Sequence, residues 1–394
     1  MPNYNLFISL RPMGNYFFGG ESFSAEGETA FYLQDSEAYP QQTTLLGMIR
    51  YQLLLQNGFL SLNGTQMKVN DVAKASLLVG GESFNPDANG SNGIPTFGEI
   101  QSLSPVFLLD AEGTLYAPFP KVKSWSQATD GRYDAQYHEP ELAEAGTGVA
   151  TLMGSTSTAS LPRLAHYDPK VGFEWGFKSL TGSKWLAQDQ VFESMEAQVG
   201  INKPHTLPHR QSEEQAEQDG FFKQTYRRLK AGFGFGAYLS LSNPSKLSSQ
   251  LMVSFGKEQS PFTLTVQPHE NGIGWEQAIP ALKPGQALWF TSPAKVDAGE
   301  LASFTKAMIG RQLSFRSMVS QVQARYNYFG NPRSRTQPSE ALPTPKISQR
   351  YNLLDRGSLV WLRDNLSQNE LTKLTGVLSD QAFLSIGYNH LINL

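Results

Sequence analysis

Residues 11–57 read RPMGNYFFGGESFSAEGETAFYLQDSEAYPQQTTLLGMIRYQLLLQN, and how this stretch divides decides the fold. Its first part is a loop rich in glycine and aromatic residues: Gly14, Tyr16, Phe17, Phe18, Gly19 and Gly20. Its last part, Thr44 to Gln56, sets Leu45, Leu46, Ile49 and Leu53 on one helical face. Thr43 or Thr44 is placed to cap that helix and Asn57-Gly58 to stop it. Gly47 inside it costs about 1 kcal/mol relative to Ala, which predicts close packing against a neighbour. The loop has two readings. It is a surface turn with two buried phenylalanines, or a ligand platform whose glycines admit close approach and whose rings offer flat faces.

Working outward, Tyr4 to Leu10 alternates apolar and polar residues and predicts a first strand with Leu6, Ile8 and Leu10 on one side. Downstream, Ala75–Val79 reads as extended, and Pro105–Leu109, Asp110-Ala111-Glu112-Gly113 and Thr114–Ala117 form a hairpin signal. Residues 139–162 are rich in small side chains and read as a mobile excursion or a long ordered loop. Strands are expected near residues 198–201, 222–229, 232–241, 251–255, 262–266 and 287–291, with a helix over 298–308. Near the end, residues 357–362 predict a buried strand and Ser367-Gln368-Asn369-Glu370 a capping box. AFLSIGYNHLINL then reads as a strand pair broken by Gly387. Without parallel βαβ repeats, the class is α+β with antiparallel sheets.

The chain has 394 residues, a length that favours about two domains. It is 40% hydrophobic and 17% charged, with 35 glycines and 23 prolines, the make-up of a folded, loop-rich protein. No cysteine is present, which removes disulfides, thiolate nucleophiles and Cys-based zinc sites. The first residues lack a signal-peptide pattern and no apolar run is long enough to span a bilayer, so a cytoplasmic protein without a membrane partner is expected. A net charge of −3 excludes nucleic-acid binding through global charge. The distribution says more. Glu21, Glu26, Glu28, Asp35 and Glu37 fall in a segment without Lys or Arg, whereas Lys306, Arg311, Arg316, Arg325, Arg333 and Arg335 fall in one without acids, among Phe304, Phe315, Tyr326, Tyr328 and Phe329. Cations interleaved with aromatics suit a phosphate-tracking surface, and equally a solvated basic face.

No phosphate-binding loop and no nucleophile elbow is present. Gly232-Phe233-Gly234-Phe235-Gly236 alternates as a strand does, not as a nucleotide loop. His205 and His209 are interrupted by Pro204 and Pro208 and lack a carboxylate at zinc-enzyme spacing, so no metal is expected. His390 could act as a general base on an RNA 2′-hydroxyl, or be a packing or phosphate-contacting residue. No assembled catalytic site, and no cofactor, follows.

Phe17, Phe18, Gly19, Pro40, Thr44, Leu46, Gly47 and Arg50 resemble the N-terminal signature of the RAMP superfamily of CRISPR proteins. The nearest pattern is the 5′-tag-capping subunit of type III-B (Cmr) effector complexes. Residues 103–123, 198–241, 252–266, and the closing LPTPKISQRYNLLDRGSLVWL and LSIGYNHLI resemble further segments of that subunit in order. The 252–266 segment keeps Gly256 and Glu258 but shows Ser260 and Pro261 where an Arg is usual, and the last loop has only Gly387 where several glycines are usual.

This resemblance implies two ferredoxin-like (RRM-related) domains with antiparallel sheets and long loop insertions, over 1–195, with an insertion near 139–162, and 196–394. It implies a non-catalytic role: holding the 5′ repeat tag of the guide RNA and bridging the large polymerase-like subunit to the backbone RAMP subunit. Arg50, Arg210, Lys223, Arg227, Arg228, Arg333, Arg335 and Arg350 are expected at phosphates. Phe17, Phe18, Tyr328 and Tyr388 are expected to stack or give close support, with Gly387 and His390 beside them. The alternative is a metal-independent endoribonuclease that processes precursor guide RNA, resting on His390 and His209.

Overall fold

In the computed structural model the expected first strand is Leu6–Pro12, with Leu6, Ile8 and Leu10 buried. The structure describes residues 5–19, 31–63, 66–87, 97–127, 132–143, 163–194, 196–202, 220–256, 259–269, 279–322, 325–327 and 346–394. Leu6–Pro12 lies between two strands from far along the chain, antiparallel to both: Leu6 opposes Leu239 of Gly234–Leu241 on one side and Pro268 of Pro261–Pro268 on the other.

Around this trio a ten-stranded sheet is built, running from Trp185–Ala187 at one end, through Phe173–Ser179, Leu115–Gln127 and Phe107–Leu109, to Gln250–Ser254 at the other. The hairpin turn is held by Asp110, whose carboxylate accepts hydrogen bonds from the Glu112 and Thr114 amides and the Tyr116 hydroxyl. Burial pushes the Asp110 pKa up, but these donors and Lys184 outweigh it and hold the carboxyl low.

Side-chain alternation divides the interior into layers. Leu6, Ile8, Leu10, Tyr116 and Phe177 face one core together with Leu45, Leu46, Ile49 and Leu53 of the Gln42–Gln56 helix. The opposite face presents Phe107, Ala117 and Phe119 to Trp289, Ala307, Leu359 and Trp361 of a second sheet. That sheet, with strands in the order Thr305–Ile309, Leu359–Leu362, Ala287–Phe290 and Leu391–Asn393, turns Leu288, Phe290, Val360 and Leu362 toward the Gln368–Leu378 helix. Ser367 and Glu370 form the expected capping box of this helix.

The class is therefore α+β with mainly antiparallel sheets; Gly220–Tyr226 against Phe31–Asp35 is a parallel pair. The ten-stranded sheet draws on both sides of residue 195, because the N-terminal strand is satisfied by strands from beyond it. Val72–Val79 is helical, not extended over 75–79, because the Asp71 carboxylate accepts from the Lys74 amide and opens a helix there. The helix expected over 298–308 ends at Ala302 and yields to the Thr305–Ile309 strand, and Gln381–Ser385 is helical, capped by Asp380. The Gln42–Gln56 helix starts after Gln41 without a threonine cap, and a Cβ at Gly47 would meet nothing within 4 Å, so close packing is not why Gly47 is there. Of the 139–162 excursion, Leu142–Ala143 forms a short strand with Arg163–Leu164, and residues 144–162 lie outside the described residues.

Candidate nucleic-acid interface

The aromatic loop packs inward. Phe17 is 0% and Phe18 3% exposed. Phe18 sits among Tyr16, Phe235, Phe255 and Phe262, and Phe17 lies against Tyr226. Tyr16 exchanges backbone hydrogen bonds with Arg227. Both rings are core, with no face open to a base, so what they can supply is support.

Arg50 is committed to the protein: its Nε and Nη2 donate to the carbonyls of Val79 and Gly80, capping the C-terminus of the Val72–Val79 helix. It forms one wall of an open groove of about 720 Å³, which Leu55, Met252 and Met318 also line. Arg227 donates to the Ser36 carbonyl at 2.8 Å and stacks over Phe192, while Arg228 is exposed and lies 3.7 Å from Glu193. Arg350 is exposed. Lys223 belongs to the Gly220–Tyr226 strand, and Arg210, Tyr328, Arg333, Arg335 and His209 lie outside the described residues.

The closing loop serves the fold. Gly387 has φ +89°, and a Cβ there would fall on Gln42 Nε2 and the Ser104 carbonyl. Only glycine fits, and the backbone approached is the protein's own. Gln42 is buried and fully engaged: its Nε2 donates to the carbonyls of Ser104 and Ile386, and its Oε1 accepts from the Val106 amide. Tyr388 is 1% exposed, so its ring is no open stacking face. His390 is 4% exposed, and burial lowers its pKa to about 4. The buried imidazole is neutral near pH 7 and sits in the interior, which suits a packing residue and neither a general base nor an open phosphate contact.

What the structure assembles instead is a small cleft of about 90 Å³ against the first sheet, where Trp175, Arg311, Asp355, Arg356, Glu37 and Tyr39 meet. Trp175 projects from Phe173–Ser179 opposite Pro120. Arg311 lays its guanidinium 4.9 Å from the Trp175 ring centroid and is held by Asp355 Oδ2 at 3.1 Å. The Asp355 turn ends at Gly357, with φ +85° and the Pro118 carbonyl 2.9 Å from where a Cβ would stand, so the turn presses directly on the sheet.

Deeper in, Arg356 lies 4.4 Å from the Tyr39 ring centroid and donates to the carbonyls of Val106 and Pro40. Burial lowers its pKa, while Tyr39, Asp355, Tyr388 and Glu37 favour the charged form. Glu37 stands at the solvent-touched rim. The protein packed around it, and then Asp355, raise its pKa against the pull of Arg227, Arg356 and Arg311. Gln41 and Gln188 complete the rim with amides that both donate and accept. A flat indole carrying a cation, beside a buried positive charge and two amides, can take a planar base on the ring and a phosphate at Arg311. The basic run flagged Arg311, but nothing local in the sequence marks Trp175, which meets it only through the fold.

No helix among the described residues is long and apolar enough to cross a membrane. No curated protein matches the chain. Among solved structures it is similar to a chain of the cryo-EM structure of the Type III-B Cmr-beta bound to cognate target RNA, at 11% identity and a TM-score of 0.45, covering 98% of this chain and 96% of that one. A second, from the same assembly with target RNA and AMPPnP, matches at 11% identity and a TM-score of 0.43 over the same shares. Residues 8–394 match the family described as CRISPR-associated protein (Cas_Cmr3), and the chain belongs to that family.

Proposed function

We propose that this chain is the RNA-binding, non-catalytic subunit of a type III-B Cmr effector complex. In this reading it holds the 5′ repeat tag of the guide RNA and bridges the large polymerase-like subunit to the backbone RAMP subunit, in the cytoplasm, in antiviral defence. Family membership over nearly the whole chain carries the reading. The cleft supports it by joining an indole to the exposed Arg311 guanidinium, with the buried Arg356 adding positive charge behind them, a pairing suited to single-stranded RNA.

The endoribonuclease alternative loses its main support with the burial of His390. The test is nuclease footprinting of guide RNA in the assembled complex, with wild-type chain and with Arg311→Glu. Protection of the 5′ tag that weakens about tenfold or more on charge reversal supports the reading, since the change replaces a phosphate partner with a repelling charge. Protection confined to the 3′ end would sink it.

A further inference from the structure

We infer that the exposed stretch of the first sheet around Trp125, Tyr137 and Trp185 is a second RNA surface, a stacking ladder for bases of a single strand running outside the tag cleft. It rests on the RNA-binding reading and extends it to the opposite face of the same strands.

The geometry comes from the pairing. On Leu115–Gln127, Ala117 and Phe119 point into the core beneath Trp289, and the same face continues outward through Lys121, Lys123 and Trp125. Tyr137 stands directly across from Lys123, and Trp185 comes from the end strand of the sheet, paired with Lys178. Trp125 is 52% and Tyr137 40% exposed, a large aromatic surface for residues that usually find cover. The Tyr137 and Trp185 rings lie 5.5 Å apart. Trp185 is fixed from below: its Nε1 donates to the Phe119 carbonyl, and Gly176 leaves the space its ring occupies, since any Cβ there would fall inside the indole.

Charge decides the occupant. Lys121 stands 5.0 Å from the Trp185 centroid, and Lys123 5.2 Å from that of Trp125 and 5.8 Å from that of Tyr137, so every ring carries an ammonium. Glu174, directly across from Lys121, partners Lys123 at 3.7 Å, and Glu139, paired with Lys178 at 2.7 Å, also favours the charged form of Lys121, so three lysines face two carboxylates and the patch keeps a surplus positive charge. Both lysines are half-buried on their rings, a contact no stronger than a stacked base. A base arriving on a ring therefore displaces the lysine, whose long side chain then reaches the flanking phosphate. Rings spaced along a sheet with cations between them fit a polyanion carrying planar groups better than an apolar protein surface, which would leave the displaced ammoniums unpaired.

The experiment uses the full chain and an oligouridylate of about 12 nucleotides, within the span of a single-strand binding fold. Binding should quench tryptophan emission. Trp125→Ala and Tyr137→Ala, both at exposed positions and so compatible with folding, should each weaken it about fivefold or more, while Trp125→Phe keeps most of it. Unchanged affinity in the double alanine variant overturns the inference. If that variant instead fails to join the other complex subunits with RNA affinity intact, the ladder is a protein contact and the inference is equally overturned. The probe lacks any tag sequence, so the two readings fail separately: tag footprints lost with Arg311→Glu report on the cleft, oligouridylate affinity on the ladder.

Discussion

Acidification should unfold this chain in part through His390. Its pKa is about 4 in the folded chain against an ordinary value of 6.5, because burial disfavours the imidazolium. The folded value is the lower one, so the unfolded chain takes up the proton first. Stability from this group is complete above about pH 6.5 and is lost as the pH falls toward 4. Integrating over that window, the loss is about 2 kcal/mol at pH 5 and about 3 kcal/mol at pH 4, a large share of a typical folding free energy. His390→Leu removes the titrating ring and keeps an apolar occupant. The assay is thermal or urea unfolding of both proteins between about pH 7.5 and pH 5, reading the change in their difference rather than either absolute value. Wild type should lose about 2 kcal/mol that the variant does not. Parallel pH profiles would refute the reasoning and place an open, solvated imidazole at this position, which would revive the catalytic reading.

Gly387→Ala should destabilise by about 3 kcal/mol in urea titration, combining a positive φ with a methyl forced onto Gln42 and Ser104. Gln42→Leu should cost about 2–4 kcal/mol in the same assay, because two carbonyls and the Val106 amide lose their partner in the core. Arg50→Ala should cost about 1–3 kcal/mol, and Arg50→Lys should not fully rescue it, since one ammonium cannot reproduce the fork onto Val79 and Gly80. An intact melting temperature in Arg50→Ala would show that the helix end does not need this cap.

Local signals in the sequence were read well where they are strongest. Alternation gave the Leu6–Pro12 strand, period and a terminal Asn-Gly the Gln42–Gln56 helix, and Ser367 with Glu370 the later helix start. They leave the outcome open where tertiary placement decides. Phe17 and Phe18 in a glycine-rich loop read equally as buried rings or as a platform, and the loop folds over a sheet whose other rings enclose them. Gly387 announces close approach correctly, but only the fold says that the neighbours are Gln42 and Ser104. The Trp175–Arg311 pair and the Lys121–Trp185 contact join residues far apart in the chain, and no spacing or periodicity encodes such meetings.

The clamped position of Leu6–Pro12 also bears on biosynthesis. This strand is synthesised well ahead of the only strands with which it forms ladders, Gly234–Leu241 and Pro261–Pro268. At about 5–20 residues per second, those partners follow roughly ten to fifty seconds later. During that interval Leu6, Ile8 and Leu10 are an apolar strand with two unpaired edges, a template for pairing between nascent chains. The strand that organises the finished sheet is thus the one most in need of a chaperone while the chain is being made, and its maturation is timed by the synthesis of the second half.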